Sequence, residues 1–166
     1  MTRVLVAGVG NIFMGDDGFG VEVVQRLQTR DLPAGVRVVD FGIRGVDLAY
    51  ALLDGCEAAV LVDTVRRGGA PGDLYVIEPD DTDDQAPAPE DLMISAHDLD
   101  PAKVLRFVRV MGGACRRIRL VACEPLTFGG EDGAMGLSPP VAAAVATAQG
   151  LVEDVVRQLL EAETVP

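Results

Sequence analysis

Residues 58–63 read Ala-Ala-Val-Leu-Val-Asp, five apolar positions in a row closed by an acid. A strand with one wet face alternates apolar and polar residues, whereas a strand covered by helices on both faces is apolar throughout. The stretch therefore predicts a central strand between two helical layers, with Asp63 delivered to its carboxyl end. Residues 3–9 (RVLVAGV) repeat the pattern, bounded by Gly8 and Gly10, and predict a buried first strand. From about 18 to 30, Val21, Val24 and Leu27 recur at helical spacing with Glu22, Gln25 and Arg26 on the other face. Residues 36–41 (VRVVDF) follow as a second strand and 46–53 as a short helix. Beyond Asp63, a turn over 66–72 leads to a strand at 73–78 (DLYVIE) and then to an acidic, proline-bearing loop over 79–91. A helix from about 99 to 111 places Val104, Leu105, Val108 and Met111 on one face, and 117–123 (RIRLVAC) is a further strand. Ser138-Pro139 is a cap followed by proline in the first turn, opening a last helix that runs to about 162. The order β-α-β-α-β-β-α-β-α, without repeat or long linker, predicts an α/β fold: one domain over 1–166, with a doubly wound, largely parallel sheet between helices.

Composition agrees. A chain of 166 residues is long enough to bury about two thirds of the surface its unfolded form exposes. Its 49% hydrophobic content is dominated by Val, Ala and Leu, with only 4% aromatic residues, as helix-covered parallel strands require. No segment approaches the roughly 20 apolar residues of a membrane span, and the start lacks the pattern of a signal peptide, so a cytoplasmic location is expected. The net charge of −12 and a pI near 4.3 repel phosphate backbones and anionic lipid, which argues against nucleic acid and membrane partners. Cys56, Cys115 and Cys123 are odd in number, lack CxxC spacing and lie in or beside apolar runs. Buried thiols are expected rather than a disulfide framework or a zinc site.

In an open α/β sheet, functional groups gather in the crevice beyond the carboxyl ends of the strands. Asp17 lies in the loop after the first strand, Asp63 ends the third, and His97, the only histidine, precedes a helix. Two carboxylates and an imidazole would suit a borderline divalent metal such as nickel, zinc or manganese. Simpler roles stand beside this one. Asp16 or Asp17 could cap the following helix, Asp63 could be a solvated strand end, and His97 in Ser95-Ala96-His97-Asp98 could sit beside a helix cap. The competing dinucleotide reading of VLVAGVGNIF fails, because the third glycine of G-x-G-x-x-G falls on Phe13. A Walker loop fails because the only lysine is Lys103. The two serines, Ser95 and Ser138, stand in no GxSxG elbow, HExxH cannot exist with one histidine, and the cysteines lack an exposed, electropositive setting. Any hydrolysis then runs through carboxylates and the lone histidine, with or without a borrowed metal.

The segment Gly8-Val9-Gly10-Asn11-Ile12-Phe13-Met14-Gly15-Asp16-Asp17-Gly18-Phe19-Gly20-Val21 resembles the opening motif of hydrogenase maturation endopeptidases, G-x-G-N followed by an acidic pair and G-x-G. Asp40-Phe41-Gly42-Ile43-Arg44-Gly45 looks like the family's second-strand motif, Val62-Asp63 its acidic strand end, Ser95-Ala96-His97-Asp98-Leu99 its histidine segment, and Gly136-Leu137-Ser138-Pro139 its final helix start. The pieces occur in family order over nearly the whole chain. The resemblance implies a three-layer sandwich with a five-stranded, largely parallel sheet. It also implies an aspartic-type, nickel-dependent endopeptidase that removes the C-terminal extension of a hydrogenase large-subunit precursor. Asp17, Asp63 and His97 then take the metal-binding and catalytic roles, and Asp40, Gly42 and Gly45 help to position substrate. The nickel is carried by the precursor, and no tightly bound organic cofactor is implied. The family's first ligand is often glutamate. Here the acidic pair is Asp16-Asp17, one methylene shorter, which leaves the choice between the two open. A nickel-binding assembly chaperone without proteolytic activity and a nucleotide-binding module are the alternatives.

Overall fold

The computed structural model describes residues 2–79 and 101–162. In chain order it contains β1 (Val4–Val9), a 3-10 turn (Gly15–Gly18), α1 (Phe19–Leu27), β2 (Val36–Gly42), α2 (Gly45–Asp54), β3 (Ala58–Thr64), β4 (Leu74–Ile77), α3 (Pro101–Val110), β5 (Arg117–Cys123) and α4 (Pro139–Glu161). The sheet has the order β2-β1-β3-β5-β4. β1 pairs in parallel with β2 and β3, β3 pairs in parallel with β5, and β4 runs antiparallel to β5. The mostly parallel five-stranded sheet read from the sequence is therefore present.

Period-two geometry sends alternate side chains of each buried strand to opposite faces. Val4 and Val6 of β1 join Val60 and Val62 of β3 in one core with Phe19, Val23 and Leu27 of α1 and Val145 and Val152 of α4. Leu5 and Ala7 join Ala59 and Leu61 in a second core with Leu48 and Leu52 of α2 and Val104 and Val108 of α3. Both faces are covered, which is why the strands read as continuous apolar runs. Each fully buried Val or Leu contributes about 1.5–3 kcal/mol relative to exposure.

The β2 edge is blunted by side chains. Gln28 Nε2 donates to the Val38 carbonyl at 3.3 Å and Arg44 Nη2 donates to the Asp40 carbonyl at 2.5 Å, occupying acceptors that another strand would use. Among the described residues, no helix is long and apolar enough to cross a membrane.

The first helix begins one residue later than its periodicity suggests, because the 3-10 turn carries the chain from the loop onto the sheet. α1 then lies so close to β1 and β3 that a Cβ on Gly20 would strike the carbonyl oxygens of Val62 and Val9. Glycine is required there by contact, and the backbone has no room to retreat because Val23, Val24 and Leu27 are already packed below it. Gly20→Ala is expected to cost about 3 kcal/mol through overpacking. A urea unfolding midpoint equal to that of wild type would show that α1 can lift from the sheet freely.

Candidate active site at the carboxyl edge of the sheet

The chain leaves β1 toward β2 on one side and later returns to β3 on the other, so the connection reverses between β1 and β3. At such a switch point the loops leave the sheet in opposite directions and open a crevice at the carboxyl ends of the strands. Asp17 follows β1 and Asp63 is the penultimate residue of β3, which places both acids at this crevice.

Neither member of the Asp16-Asp17 pair caps α1, whose N-cap position is Gly18 without a side-chain hydrogen bond. Asp16 is fully buried. Its Oδ2 accepts hydrogen bonds from the N–H groups of Leu126 (2.8 Å) and Thr127 (3.0 Å) and from Ser138 Oγ (2.8 Å), and its Oδ1 accepts from the Ser138 N–H (2.7 Å). Burial alone would raise its pKa, but the N–H groups of Ser138, Thr127 and Leu126 together with the Ser138 hydroxyl outweigh burial and hold it below the usual carboxylate value. Both oxygens are therefore engaged. Ser138 stands at the N-cap of α4 as its sequence suggests, yet its hydroxyl makes no cap bond and is spent on Asp16.

Asp17 is half-buried and accepts one hydrogen bond on Oδ2, from the Asn11 N–H at 2.8 Å. Its carbonyl fills the space where a side chain on Gly10 would go, and Gly10, at φ 141°, donates its N–H to the Gly42 carbonyl at 3.0 Å. The first loop is thus pinned to β2 on one side and to the Leu126–Thr127 stretch, through Asp16, on the other. Asp63 is buried at 6% exposure, and its Oδ1 accepts the Thr64 N–H at 2.7 Å. Burial pushes its pKa well up, the Thr64 N–H opposes this, and the nearby Asp17 charge adds to the rise. Among the described residues, Asp17 and Asp63 each keep one carboxylate oxygen without a hydrogen-bond donor. An acid forced into low dielectric beside a second acid favours either a proton or a cation.

Of the other sequence candidates, Asp40 ends near this loop, but its Oδ2 accepts from Gln25 of α1 at 3.2 Å. Gly42, at φ 55°, supplies the carbonyl that Gly10 uses, and Gly45 is the first residue of α2. His97 lies outside the described residues, and among those described no cluster of three metal-ligating side chains occurs. Glu124 was not singled out by sequence. It is buried, and its carboxylate accepts the N–H groups of Arg67 (2.8 Å) and Gly68 (2.9 Å) and the Tyr75 hydroxyl (3.3 Å), fixing the loop that follows Asp63. Its signal was the one that marked Asp63: an acid directly after an apolar strand. A cleft of about 360 Å³ opens beside the 3-10 turn, lined by Ile12, Gly15, Gly18, Met135 and Leu137 among others.

Fold and site together define a small α/β protein with a paired-acid centre at the switch point of a mostly parallel sheet. Residues 21–155 match the sequence profile of the hydrogenase maturation protease family. The chain is 35% identical over 158 residues to the hydrogenase expression/formation protein HupD of Rhodobacter capsulatus, covering 95% of this chain and 71% of that one. It is 31% identical over 161 residues to the hydrogenase 2 maturation protease of Escherichia coli K12, covering 96% and 90%. The solved hydrogenase maturating endopeptidase HybD of E. coli superposes with a TM-score of 0.74 at 28% identity over 95% of this chain and 93% of that one. The chain belongs to the hydrogenase maturation protease family and is a peptide hydrolase of that class.

The two buried aspartates, Asp16 and Asp63, should separate cleanly on mutation. Asp16→Ala strands four donors and is expected to lose about 3 kcal/mol of stability at pH 7. This deficit should shrink below about pH 4, where Asp16 of the unfolded wild-type chain takes up a proton before the folded carboxylate does. Asp63→Asn should act in the opposite sense. A carboxyl raised in the folded state penalises folding once pH passes from the unfolded value through the folded one, so the variant should be more stable than wild type at pH 7 and equal to it near pH 3. Its peptidase activity should fall at least about 100-fold. Thermal melts at the two pH values check both; a destabilised Asp63→Asn at pH 7 would contradict the assignment.

Proposed function

We propose that this protein removes the C-terminal extension from a nickel-loaded large-subunit precursor of a nickel-containing hydrogenase, and that it reads the nickel carried by the precursor. The observation that carries this reading is Asp63, buried beside Asp17 with one oxygen of each acid unclaimed by donors among the described residues. A divalent cation brought by the substrate would favour the ionised form of Asp63, which burial and the Asp17 charge oppose. The family relationship and the relatives' names as maturation proteases support the substrate class.

On this reading Asp17 and Asp63 are joined by His97 as ligands to the precursor's nickel, an oxygen and nitrogen set suited to that metal. The metal polarises the scissile carbonyl or the attacking water. One of the carboxylates orients that water, so the hydrolysis is aspartic-type in the sense that no serine or cysteine nucleophile is used. The Asp40 to Gly45 segment, tied to Gly10 through Gly42, borders the substrate strand. The cleft lined by Ile12, Met135 and Leu137 offers an apolar wall for residues next to the cleaved bond. The reaction belongs to the cytoplasm, where a large subunit is assembled before use.

The test is the intact mass of nickel-loaded and nickel-free large-subunit precursor after incubation with this protein. Loss of a C-terminal peptide from the loaded precursor alone is expected, and His97→Ala is expected to abolish it. Cleavage of both forms would remove nickel from the mechanism. Stable binding with unchanged mass would replace the protease with an assembly chaperone, and wild-type processing by His97→Ala would take that residue out of the site.

A further inference from the structure

The far end of the sheet carries a second arrangement that the peptidase site does not use. Cys56 immediately precedes β3 and Cys115 precedes β5. β3 and β5 are paired in parallel from Ala58 opposite Arg117, and the Arg116 N–H donates to the Glu57 carbonyl at 2.8 Å. Each cysteine stands two residues before that first pair, so the two occupy matching positions across neighbouring strands, and both belong to the core beneath α2 and α3. Their exposures are 4% and 1%, and each thiol donates to a backbone carbonyl, Cys56 to Ala51 at 3.9 Å and Cys115 to Arg117 at 3.7 Å. Neighbouring parallel strands lie about 4.8 Å apart, inside the span of about 4.4–6.8 Å between α-carbons that a disulfide needs.

We propose that Cys56 and Cys115 are a redox-reversible modification site that closes into an intramolecular disulfide by exchange with a small-molecule disulfide. The Cys56 thiolate attacks one sulfur of the small disulfide and expels a thiolate, which takes up a proton. The Cys115 thiolate then attacks the Cys56 sulfur of the mixed disulfide and releases the second small thiol. Two cysteine thiols lose two electrons and two protons, and one small disulfide becomes two thiols.

The surroundings fit this order of events. A cleft of about 490 Å³ lined by Arg37, Tyr50 and Gly55 among others reaches the residue next to Cys56. Cys56, next to the Gly55 wall of that cleft, is the thiol that opens the exchange; the neighbouring Cys115 thiol and the charge of Arg37 hold it below its ordinary value, whereas Cys56 and burial push Cys115 up. Cys123, with its thiol pushed up to about 12 mainly by burial, is the internal control. The bridge would close a loop carrying β3, β4 and α3, and would tie the ends of the sheet opposite to Asp17 and Asp63.

The experiment treats the full chain with oxidised glutathione, alkylates what remains reduced, and maps the peptides by mass. A linked Cys56–Cys115 peptide pair with Cys123 alkylated is expected, together with a rise of about 10 °C in thermal midpoint that dithiothreitol reverses. Cys115→Ser is expected to stop at the mixed disulfide on Cys56 and to show no such rise. Three alkylated thiols, a persistent glutathione adduct on wild-type Cys56, or a bridge involving Cys123 would each overturn the proposal. If Cys115→Ser does not fold, the wild-type peptide map decides alone. None of these outcomes depends on precursor cleavage.

Discussion

The carboxylate of Asp16 accepts hydrogen bonds from residues 110, 111 and 122 positions further along the chain, and the carboxyl edge of the sheet takes its shape from that contact. The loop after β1, the segment after β5 and the start of α4 have little apolar material to hold them together, since Ile12, Phe13, Leu126 and Met135 are all exposed. Backbone bonds between Gly15 and Ala134 and between Ala134 and Phe13 reinforce the junction. The charge at its centre supplies most of the directional hold, because an ionised acceptor strengthens each bond it receives in low dielectric. Gly20 sets the complementary constraint from below by letting α1 touch β1 and β3. Asp17 stands between these two fixed points and has little freedom except at its side chain.

Two buried aspartates at this edge of the sheet thus meet opposite electrostatic fates. Asp16 is surrounded by donors, so burial is more than compensated and ionisation is favoured. Asp63, also shielded from water, has among the described residues a single N–H donor, with the Asp17 charge as neighbour. Burial together with the number of donors within reach decides which acid is structural and which is poised for chemistry. Glu124 falls on the structural side, with three donors holding the chain that leaves β3.

The layers and the chain order of the elements were legible because buried parallel strands advertise themselves: 3–9 and 58–63 are near-continuous apolar runs, and 117–123 becomes one after Arg119. Asp63 was legible for the same reason, as a charge that terminates such a run. What could not be read was the partnership between Asp16 and Ser138. Both carried adequate local explanations, an acid before a helix and a serine before proline, and local patterns hold no trace of a bond across 122 positions. Glu124 shared the Asp63 pattern, an acid directly after an apolar strand, and was not singled out. The choice between Asp16 and Asp17 as the outward-facing acid was open in sequence and follows from hydrogen-bond counting alone, since Asp16 has no acceptor capacity to spare.

The paired acids also bear on why the chain carries so little conventional hydrolytic machinery. An aspartic dyad that shares one proton needs its two carboxyls in comparable surroundings, so that either can hold it. Here the surroundings differ: Asp17 is half-buried and bonded to Asn11, whereas Asp63 is buried with Thr64 its one donor among the described residues. Such asymmetry suits a shared cation better than a shared proton, because a cation attracts both carboxylates at once and does not require the acids to be equivalent. On the proposed reading the missing positive charge arrives with the substrate, and the free enzyme keeps a destabilised Asp63 until it does. The energetic penalty of burying that acid then becomes the means of discrimination: a precursor without metal leaves the penalty in place, and one with metal removes it.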